Sequence, residues 1–186
     1  KTVIGIAGGC GITPFFSMAQ AIRDGIEDFN LYLIYGCKTL NESALKKELD
    51  QIAATDSRVR LICVLSNEEK EGYESGFITA DIIKKYAGNE PYSVFMCGPQ
   101  VMYDFVGKEI AKLGLAKKYV RRELYGQINN IEKYPGFPKD KVGKKYKLTL
   151  HIGNNTITTE ALSSESVLVA VERAKAEAPS LCRTGE

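Results

Sequence analysis

The chain alternates short runs of apolar residues with longer segments in which apolar residues recur at helical spacing. This pattern extends from Thr2 to Tyr125 and is typical of strand–helix units around a parallel sheet. The apolar runs predict five strands, at Val3–Ala7, Leu31–Gly36, Val59–Val64, Ser93–Cys97 and Tyr119–Glu123. The segments between them predict helices near Pro14–Asp24, Ser43–Ala53, Ile78–Tyr86 and Val101–Leu113. We therefore expect an α/β domain with a doubly wound, five-stranded parallel sheet, whose ligand site lies beyond the strand carboxyl ends.

A second unit follows the first. Residues 127–145 are rich in Asn, Pro, Gly and Lys, a composition typical of a linker. Alternating residues then predict strands over Tyr146–Ile152 and Thr156–Ala161, joined by the turn Gly153-Asn154-Asn155. A helix is expected over Ser164–Glu177, with Ser164 or Ser166 as its N-cap. The predicted organisation is a first domain at 1–126, a linker at 127–145 and an α+β unit at 146–186.

Composition and charge exclude several classes of function. The 186 residues include 25 basic and 23 acidic side chains, for a net charge of +2, which argues against a nucleic-acid or membrane surface. No apolar run approaches the roughly 20 residues that a transmembrane helix needs, and the first residues do not resemble a signal peptide. The five cysteines include no Cys-x-x-Cys pair. Their spacing argues against a disulfide framework and favours a reducing compartment. We expect a cytoplasmic protein without a membrane span.

The ends of the chain suggest a longer protein. Lys1 leads directly into an apolar strand, and Glu186 stops within a predicted loop. We therefore expect the sequence to be part of a larger polypeptide.

The strongest chemical signal lies between the first strand and the first helix. Here Gly8, Gly9 and Gly11 precede Thr13 and Pro14. Glycines let the backbone turn sharply and approach a diphosphate, and a helix N-terminus offers free N–H groups. Thr13 can cap the helix and Pro14 suits its first position. The spacing approximates a dinucleotide fingerprint with Pro in place of the third Gly, and an ordinary glycine-rich turn is the alternative.

The end of the second strand does not fit a classical dehydrogenase. It has the sequence Tyr35-Gly36-Cys37-Lys38, without the acidic residue that binds a ribose 2′-hydroxyl in such enzymes. Three segments instead resemble the NAD(P)-binding domain of the ferredoxin-NADP reductase superfamily. They are Gly8-Gly9-Cys10-Gly11-Ile12-Thr13-Pro14, Cys97-Gly98-Pro99-Gln100-Val101-Met102, and Glu123-Leu124-Tyr125-Gly126. These segments occur in the family's order, and the resemblance covers nearly the whole first domain.

The resemblance implies roles for individual residues. Cys97 would lie beside the nicotinamide ring, where a small polarisable side chain touches the ring, with Gly98, Pro99 and Met102 completing the cofactor-binding segment. Glu123 would lie near the flavin and nicotinamide edges and contribute electrostatics or proton supply. The alternatives are a buried structural cysteine for Cys97 and a solvated charge for Glu123. Leu124 is bulkier than the small residue often found at its position in the family.

Cofactor preference depends on the ends of the second and third strands. NADP-preferring members of the family place an arginine after a serine to bind the 2′-phosphate, because a guanidinium suits bidentate phosphate binding. This sequence has Asn67 and Glu68 after Ser66. Lys38 offers a positive charge and, with Gly36 and Asn67, is included in the predicted cofactor site. We expect NAD to be preferred over NADP.

The second unit has a resemblance of its own. Its strand pair, its helix and the segment around Cys182 resemble the first half of a plant-type ferredoxin, a β-grasp fold that binds a 2Fe-2S cluster through a C-x4-C-x2-C run and a fourth cysteine. Cys182 is then an expected cluster ligand, and the next ligand would follow Glu186 directly.

Together these resemblances imply an NADH-dependent oxidoreductase. A flavin domain upstream, holding FAD or FMN, would take the hydride, and electrons would pass through a 2Fe-2S cluster to an acceptor protein or domain. The alternatives are a nucleotide-binding electron-transfer subunit of a larger complex and a nucleotide-sensing module without redox function.

Overall fold

A parallel sheet of six strands forms the first of two units, Lys1–Leu124, into which the chain divides. The computed structural model describes residues 1–124, 130–134 and 136–177. The strands of the sheet are β1 (Thr2–Gly8), β2 (Asn30–Cys37), β3 (Val59–Leu65), β4 (Glu74–Ser75), β5 (Tyr92–Gly98) and β6 (Val120–Leu124). The helices are α1 (Thr13–Arg23), α2 (Lys46–Thr55), α3 (Ala80–Ala87) and α4 (Gln100–Ala111).

The strand order creates a crevice at the centre of the sheet. The order is β4-β3-β2-β1-β5-β6, so the chain moves outward from β1 on one side and then returns to add β5 and β6 on the other. In sheets of this kind, ligands bind where the direction of strand addition reverses. Here that point lies between β1 and β5, where Ala7 is paired with Cys97. The loops that follow both strands therefore begin side by side.

The prediction of five strands is wrong by one, because the sheet has a sixth strand at its edge. β4 contains only Glu74 and Ser75, which pair with Val64 and Leu65 of β3. The Glu74 carboxylate accepts hydrogen bonds from Lys85 and Tyr86 of α3. A two-residue polar strand produces no apolar run, so hydrophobic patterning does not reveal it.

The start of α1 also differs from the prediction. Ile12 is the N-cap and Thr13 is the first helical residue, so Pro14 occupies the second position. The Thr13 hydroxyl donates to the Cys10 carbonyl at 3.1 Å instead of capping the helix. The reason is a 3-10 turn at Gly9–Ile12, which leads directly into α1.

The start of α2 lies later than predicted, at Lys46 instead of near Ser43. A second 3-10 turn, Leu40–Glu42, occupies the preceding segment. Ser43 donates its hydroxyl to the Leu40 carbonyl, and Leu45 has a left-handed φ of 58°. This segment therefore forms a compact loop before the helix begins.

The core of the first unit is formed around β1, all of whose residues are buried. Helix α1 packs on it through Phe15, and a Cβ added to Gly5 would lie 2.8 Å from Cδ1 of that ring. Apolar residues of α3 and α4, including Ile83 and Val106, join residues of the strands in one buried cluster. The sheet is thus a rigid support for the loops at its carboxyl edge.

The second unit contains a hairpin and a helix. Strands β7 (Lys145–Ile152) and β8 (Asn155–Leu162) pair antiparallel, and Gly153 has the positive φ, 57°, that suits the first position of a two-residue hairpin turn. Both predicted strands are thus present, with slightly different bounds. The identity of this unit as ferredoxin-like stays a prediction.

Helix α5 of the second unit (Val167–Arg173) is shorter than the predicted Ser164–Glu177. Ser166 is its N-cap, as one of the two alternatives predicts, and accepts from the Val169 N–H at 3.4 Å. The helix ends where Arg173 donates to the Glu165 carboxylate at 2.7 Å, and Lys175 then has a left-handed φ of 55°. No helix in the described part of the chain is long and apolar enough to cross a membrane.

Candidate functional site

A cavity of about 580 Å³ opens at the carboxyl edge of the sheet in the first unit. Its walls come from the glycine loop after β1, the ends of β2 and β3, the loop before α3 and the first two turns of α4. This volume lies within the range of small-molecule and cofactor sites, roughly 300–1,000 Å³. Six of the predicted site residues line it: Gly8, Gly9, Gly36, Lys38, Pro99 and Met102.

The glycine loop combines one open glycine with one tightly packed glycine. Gly9 has a φ of +53°, and a Cβ built there would meet nothing within 4 Å. Gly11 lies against the end of β5, where an added Cβ would be 2.0 Å from the Cys97 carbonyl oxygen. Only a glycine fits at this contact. The loop therefore turns sharply at the cavity and is fixed against the strand that carries Cys97.

Met102 lies over two further glycines. A Cβ on Gly8 would lie 2.6 Å from the Met102 sulfur, and one on Gly98 would lie 2.3 Å from its Cε. Pro99 is the N-cap of α4, and its carbonyl accepts from the Met102 N–H at 2.9 Å. The predicted segment from Cys97 to Met102 thus folds into one compact strand-to-helix turn at the cavity.

Cys97 and Glu123 are neighbours in the sheet, but they do not line the cavity. They are paired across β5 and β6. The Cys97 side chain is 4% exposed, and burial, followed by the charge of Glu123, raises the pKa of its thiol to about 11. Glu123 is exposed. Their roles in catalysis stay predictions.

Sequence patterns did not single out Tyr103, which joins β5 to β6. Its hydroxyl is hydrogen-bonded to the Met96 carbonyl at 3.0 Å and to the Glu123 carbonyl. Tyr103 is 6% exposed and holds the carboxyl ends of the two strands together. An aromatic residue at helical spacing has the same signature as any core residue, so the sequence carries no separate signal for it.

The loops after β2 and β3 run side by side. The Ser66 N–H donates to the Cys37 carbonyl and the Asn67 N–H donates to the Lys38 carbonyl, each at 2.9 Å. Lys38 and Ser66 line the cavity, whereas Asn67 does not. The Ser66 hydroxyl donates to the Asn67 side-chain oxygen at 3.3 Å. The predicted residues of this region are therefore close together, with Asn67 set back from the cavity wall.

The rim of the cavity is apolar and aromatic, a feature for which the sequence carries no local signal. The rings of Phe77 and Phe105 have centroids 5.5 Å apart and are tilted by 53°. Phe77 is 66% exposed and Val101 is 74% exposed, although both side chains are strongly hydrophobic. Exposed apolar groups that surround a cavity are typical of ligand-binding sites.

The cysteines give a direct test of this geometry. Cys10 is exposed on the glycine loop, whereas Cys63 and Cys97 are buried, and burial raises the pKa of each of the latter two to about 11. At pH 8 only on the order of 0.1% of such a thiol is ionised, and because the thiolate is the reactive form, its alkylation is slow. We expect iodoacetamide to label Cys10 at least about tenfold faster than Cys63 or Cys97.

Timed labelling followed by peptide mass spectrometry measures these rates. Labelling in urea is the control, because unfolding should make the three rates similar. Equal rates for Cys10 and Cys97 in the folded protein would contradict the burial of Cys97.

Residues 6–108, more than half of the chain, match the family of oxidoreductase NAD-binding domains. The chain belongs to this family. Two relatives show the context in which such a domain occurs. The chain is 24% identical over 135 residues to a flavohemoprotein of Oceanobacillus iheyensis, a match covering 72% of this chain and 33% of that protein. It is 36% identical over 132 residues to NADH-cytochrome b5 reductase 1 of Coccidioides immitis, covering 66% of this chain and 43% of that protein.

Solved structures agree with the fold of this NAD-binding domain. The cytochrome b5 reductase domain of Ulva prolifera nitrate reductase is 27% identical, with a TM-score of 0.58, over 66% of this chain and 48% of that one. A ferredoxin NADP+ reductase from Neisseria gonorrhoeae shares the fold at 18% identity and a TM-score of 0.55, over 66% of this chain and 55% of that one. The predicted membership of the first unit in the ferredoxin-NADP reductase superfamily is confirmed. The chain spans less than half the length of the two relatives.

The predicted cluster ligand Cys182 lies outside the described residues. Within residues 1–124, 130–134 and 136–177, no group of three or more His, Cys, Asp or Glu side chains is placed to hold a metal ion. The iron–sulfur assignment therefore depends on the sequence alone.

Proposed function

We propose that this chain binds NADH and NAD⁺ as the nucleotide domain of a flavin-dependent electron-transfer oxidoreductase. The observation that carries the proposal is the apolar-rimmed cavity at the reversal point of a parallel sheet, bordered by the glycine loop of an NAD-binding domain. When bound, NADH would supply a hydride, and a flavin that accepts it would release the proton and pass on the two electrons one at a time. The chain itself binds, orients and shields the nucleotide.

The glycine loop fits a diphosphate. Gly9 presents backbone without a side chain to the open side of the loop, because nothing lies within 4 Å of its missing Cβ. The loop continues into α1, whose first N–H groups and dipole favour a negative charge. We assign diphosphate binding to Gly8, Gly9 and Gly11, with Thr13 and Pro14 shaping the start of the helix.

The β5–α4 turn fits the nicotinamide half. Gly98 and Pro99 form a compact turn, and Met102 presents a flexible apolar side chain to the cavity. We assign orientation of the ring to Cys97, Gly98, Pro99 and Met102, and electrostatic support at the adjacent strand end to Glu123. Similarity to a flavohemoprotein supports a flavin as the hydride acceptor, and similarity to an NADH-cytochrome b5 reductase supports NADH as the hydride donor.

The proposal includes an iron–sulfur cluster in the second unit and a cellular compartment for the protein. A plant-type 2Fe-2S cluster with Cys182 as one ligand would pass electrons to an acceptor protein or domain. The hairpin and helix of the second unit support this reading. The free thiols Cys10, Cys37, Cys63 and Cys97 support a reducing, cytoplasmic compartment.

Nucleotide preference provides the test. The loop after β3 offers Asn67 and Glu68 in place of a phosphate-binding arginine, so NADH is expected to bind about tenfold more tightly than NADPH. Isothermal titration of the chain with each nucleotide measures both dissociation constants. ADP serves as the control ligand and should bind more weakly than NADH, because it lacks the nicotinamide half. Tighter binding of NADPH would overturn the preference, and no binding of either nucleotide would overturn the proposed function.

A further inference from the structure

A buried carboxylate joins α3 to α4 beside the cavity. Glu109 of α4 is 8% exposed, and its carboxylate accepts a hydrogen bond at 3.0 Å from the N–H of Ala80, the first residue of α3. The Lys112 ammonium lies 2.5 Å from the other carboxylate oxygen. The same helix start has a local cap, since the Thr79 hydroxyl accepts from the Ile82 N–H at 3.4 Å. The first N–H groups of a helix lack helical partners, and Glu109 satisfies one of them from a distant segment.

Each of the two joined elements carries one aromatic ring of the cavity rim. Phe105 lies one helical turn before Glu109 on α4, and Phe77 lies three residues before Ala80 in the loop that leads into α3. The centroids of the two rings are 5.5 Å apart. The hydrogen bond from Ala80 to Glu109 therefore connects the two sides of the rim close to both rings.

The loop that carries Phe77 begins at a glycine. Gly76 has a φ of +92°, and an added Cβ there would meet nothing within 4 Å. Because glycine adopts many backbone conformations, the loop can pivot at Gly76 unless its far end is held. Ile78 is buried, whereas the Phe77 ring is exposed, so packing fixes the former side chain more firmly than the latter. Glu109 holds the far end of this loop at Ala80.

The charge of Glu109 does not explain a favourable effect on nucleotide binding. The Lys112 ammonium, followed by the Ala80 N–H, holds the pKa of the Glu109 carboxyl below its ordinary value, so the group is ionised at neutral pH. Nicotinamide nucleotides are anionic, and a nearby negative charge opposes their binding. Glu109 is also not among the residues that line the cavity. Any gain in affinity must come from what the side chain holds in place.

We propose that Glu109 is a positioning residue, which fixes the loop before α3 against α4 so that Phe77 and Phe105 are held ready for a planar ring of NADH. The proposal depends on the proposed function, since it concerns the rim of the same cavity. Groups that are held in place before binding increase affinity, because less side-chain and loop entropy is lost when the ligand binds. Glu109 thus acts through the rim without contacting the nucleotide.

Three substitutions in the full chain separate the hydrogen bond of Glu109 from its charge. Glu109→Ala removes both, Glu109→Asp keeps the charge on a side chain one methylene shorter, and Glu109→Gln keeps an acceptor oxygen at the same reach. The dissociation constant of NADH is measured by titration of nicotinamide fluorescence. It should rise about tenfold in Glu109→Ala and Glu109→Asp and less than about threefold in Glu109→Gln.

Asp56→Ala is the matched control for a general loss of stability. The Asp56 carboxylate accepts from the Arg58 N–H at 3.0 Å and from its guanidinium at 2.6 Å. It lies between α2 and β3, outside the cavity lining. Its removal should lower the free energy of unfolding but change the dissociation constant of NADH less than about twofold, because the two sites share no contacts.

A double-mutant cycle tests whether Glu109 acts through the rim. Phe77→Ala removes one ring and should itself weaken the binding of NADH. In the Phe77→Ala background, adding Glu109→Ala should raise the dissociation constant less than about threefold further, because the effects of residues that act through one another do not add. A full tenfold effect in both backgrounds would contradict the proposal.

The remaining outcomes are also decisive. An unchanged dissociation constant in Glu109→Ala and Glu109→Asp, with wild-type circular dichroism spectra, overturns the role of Glu109 and leaves the proposed function standing. Equal weakening in Glu109→Gln and Glu109→Ala also overturns it, because the glutamine retains the acceptor. If Glu109→Ala does not fold, the contrast between Glu109→Asp and Glu109→Gln decides. Absence of NADH binding by the wild-type chain overturns both proposals.

Discussion

Gly11→Ala is expected to abolish nucleotide binding and to lower the free energy of unfolding by about 3 kcal/mol or more. The added Cβ would lie 2.0 Å from the Cys97 carbonyl oxygen and 2.4 Å from its carbonyl carbon. Both atoms belong to the backbone of a central strand, so no side-chain rotation relieves the clash. The glycine loop has to move away from β5, and the diphosphate site is lost with it.

Gly9→Ala is the matched control for this substitution. Gly9 lies in the same loop with a φ of +53°, but a Cβ there meets nothing within 4 Å. The expected loss is about 1–2 kcal/mol, which is the cost of a left-handed conformation for alanine. The chain contains no tryptophan, so urea unfolding is best followed by circular dichroism. Equal losses for the two variants would show that the contact between Gly11 and β5 is not as close as described.

Cys97→Ala is expected to slow hydride transfer by about 100-fold in the flavin-containing protein, because loss of precise orientation of the reacting atoms has an effect of this size. The dissociation constant of NADH should change less than about threefold, since the diphosphate is bound elsewhere. Stopped-flow reduction of the flavin measures the rate, and its dependence on NADH concentration gives the dissociation constant.

Cys63→Ala is the control for the packing defect that removal of a buried thiol leaves. Cys63 is also buried, and burial likewise raises the pKa of its thiol to about 11, but it lies in β3, away from the β5–α4 turn. Its removal should destabilise the fold without slowing hydride transfer. A normal rate in Cys97→Ala would assign Cys97 to packing beneath the strand ends, in keeping with its burial.

The parts of the site that could be predicted from the sequence are those formed by adjacent residues. The glycine loop and the turn at Gly98 and Pro99 have local conformations that few residue types allow. The glycines and prolines at these positions therefore mark both segments in the sequence. Four of the five longer strands were predicted because each contains a run of mostly apolar residues. The fifth, β6, has Arg121, Arg122 and Glu123 at its centre and lies in the segment that resembles the closing segment of the family. The structure places these local features at a common edge of the sheet.

The remaining parts depend on contacts between distant segments. Glu42 lines the cavity, and the Leu40 N–H of the same loop donates to the Glu68 carboxylate in the loop after β3. No local pattern in the sequence records that arrangement. Phe77 and Phe105 are typical core residues by type, and only the fold leaves them exposed at the rim. The burial of Cys97 likewise results from the neighbouring loop and helix.

The hydrogen bonds between the loops after β2 and β3 have a consequence for changing the cofactor. Residues 37–44 and 65–68 are joined through two backbone hydrogen bonds and the Glu68 carboxylate. The two loops should therefore be replaced together when the cofactor preference is changed. A graft of the loop after β3 that replaces Glu68 removes the acceptor of the Leu40 N–H, so the loop after β2 loses a support when its partner alone is exchanged. Replacing both loops together keeps the partners of these hydrogen bonds matched.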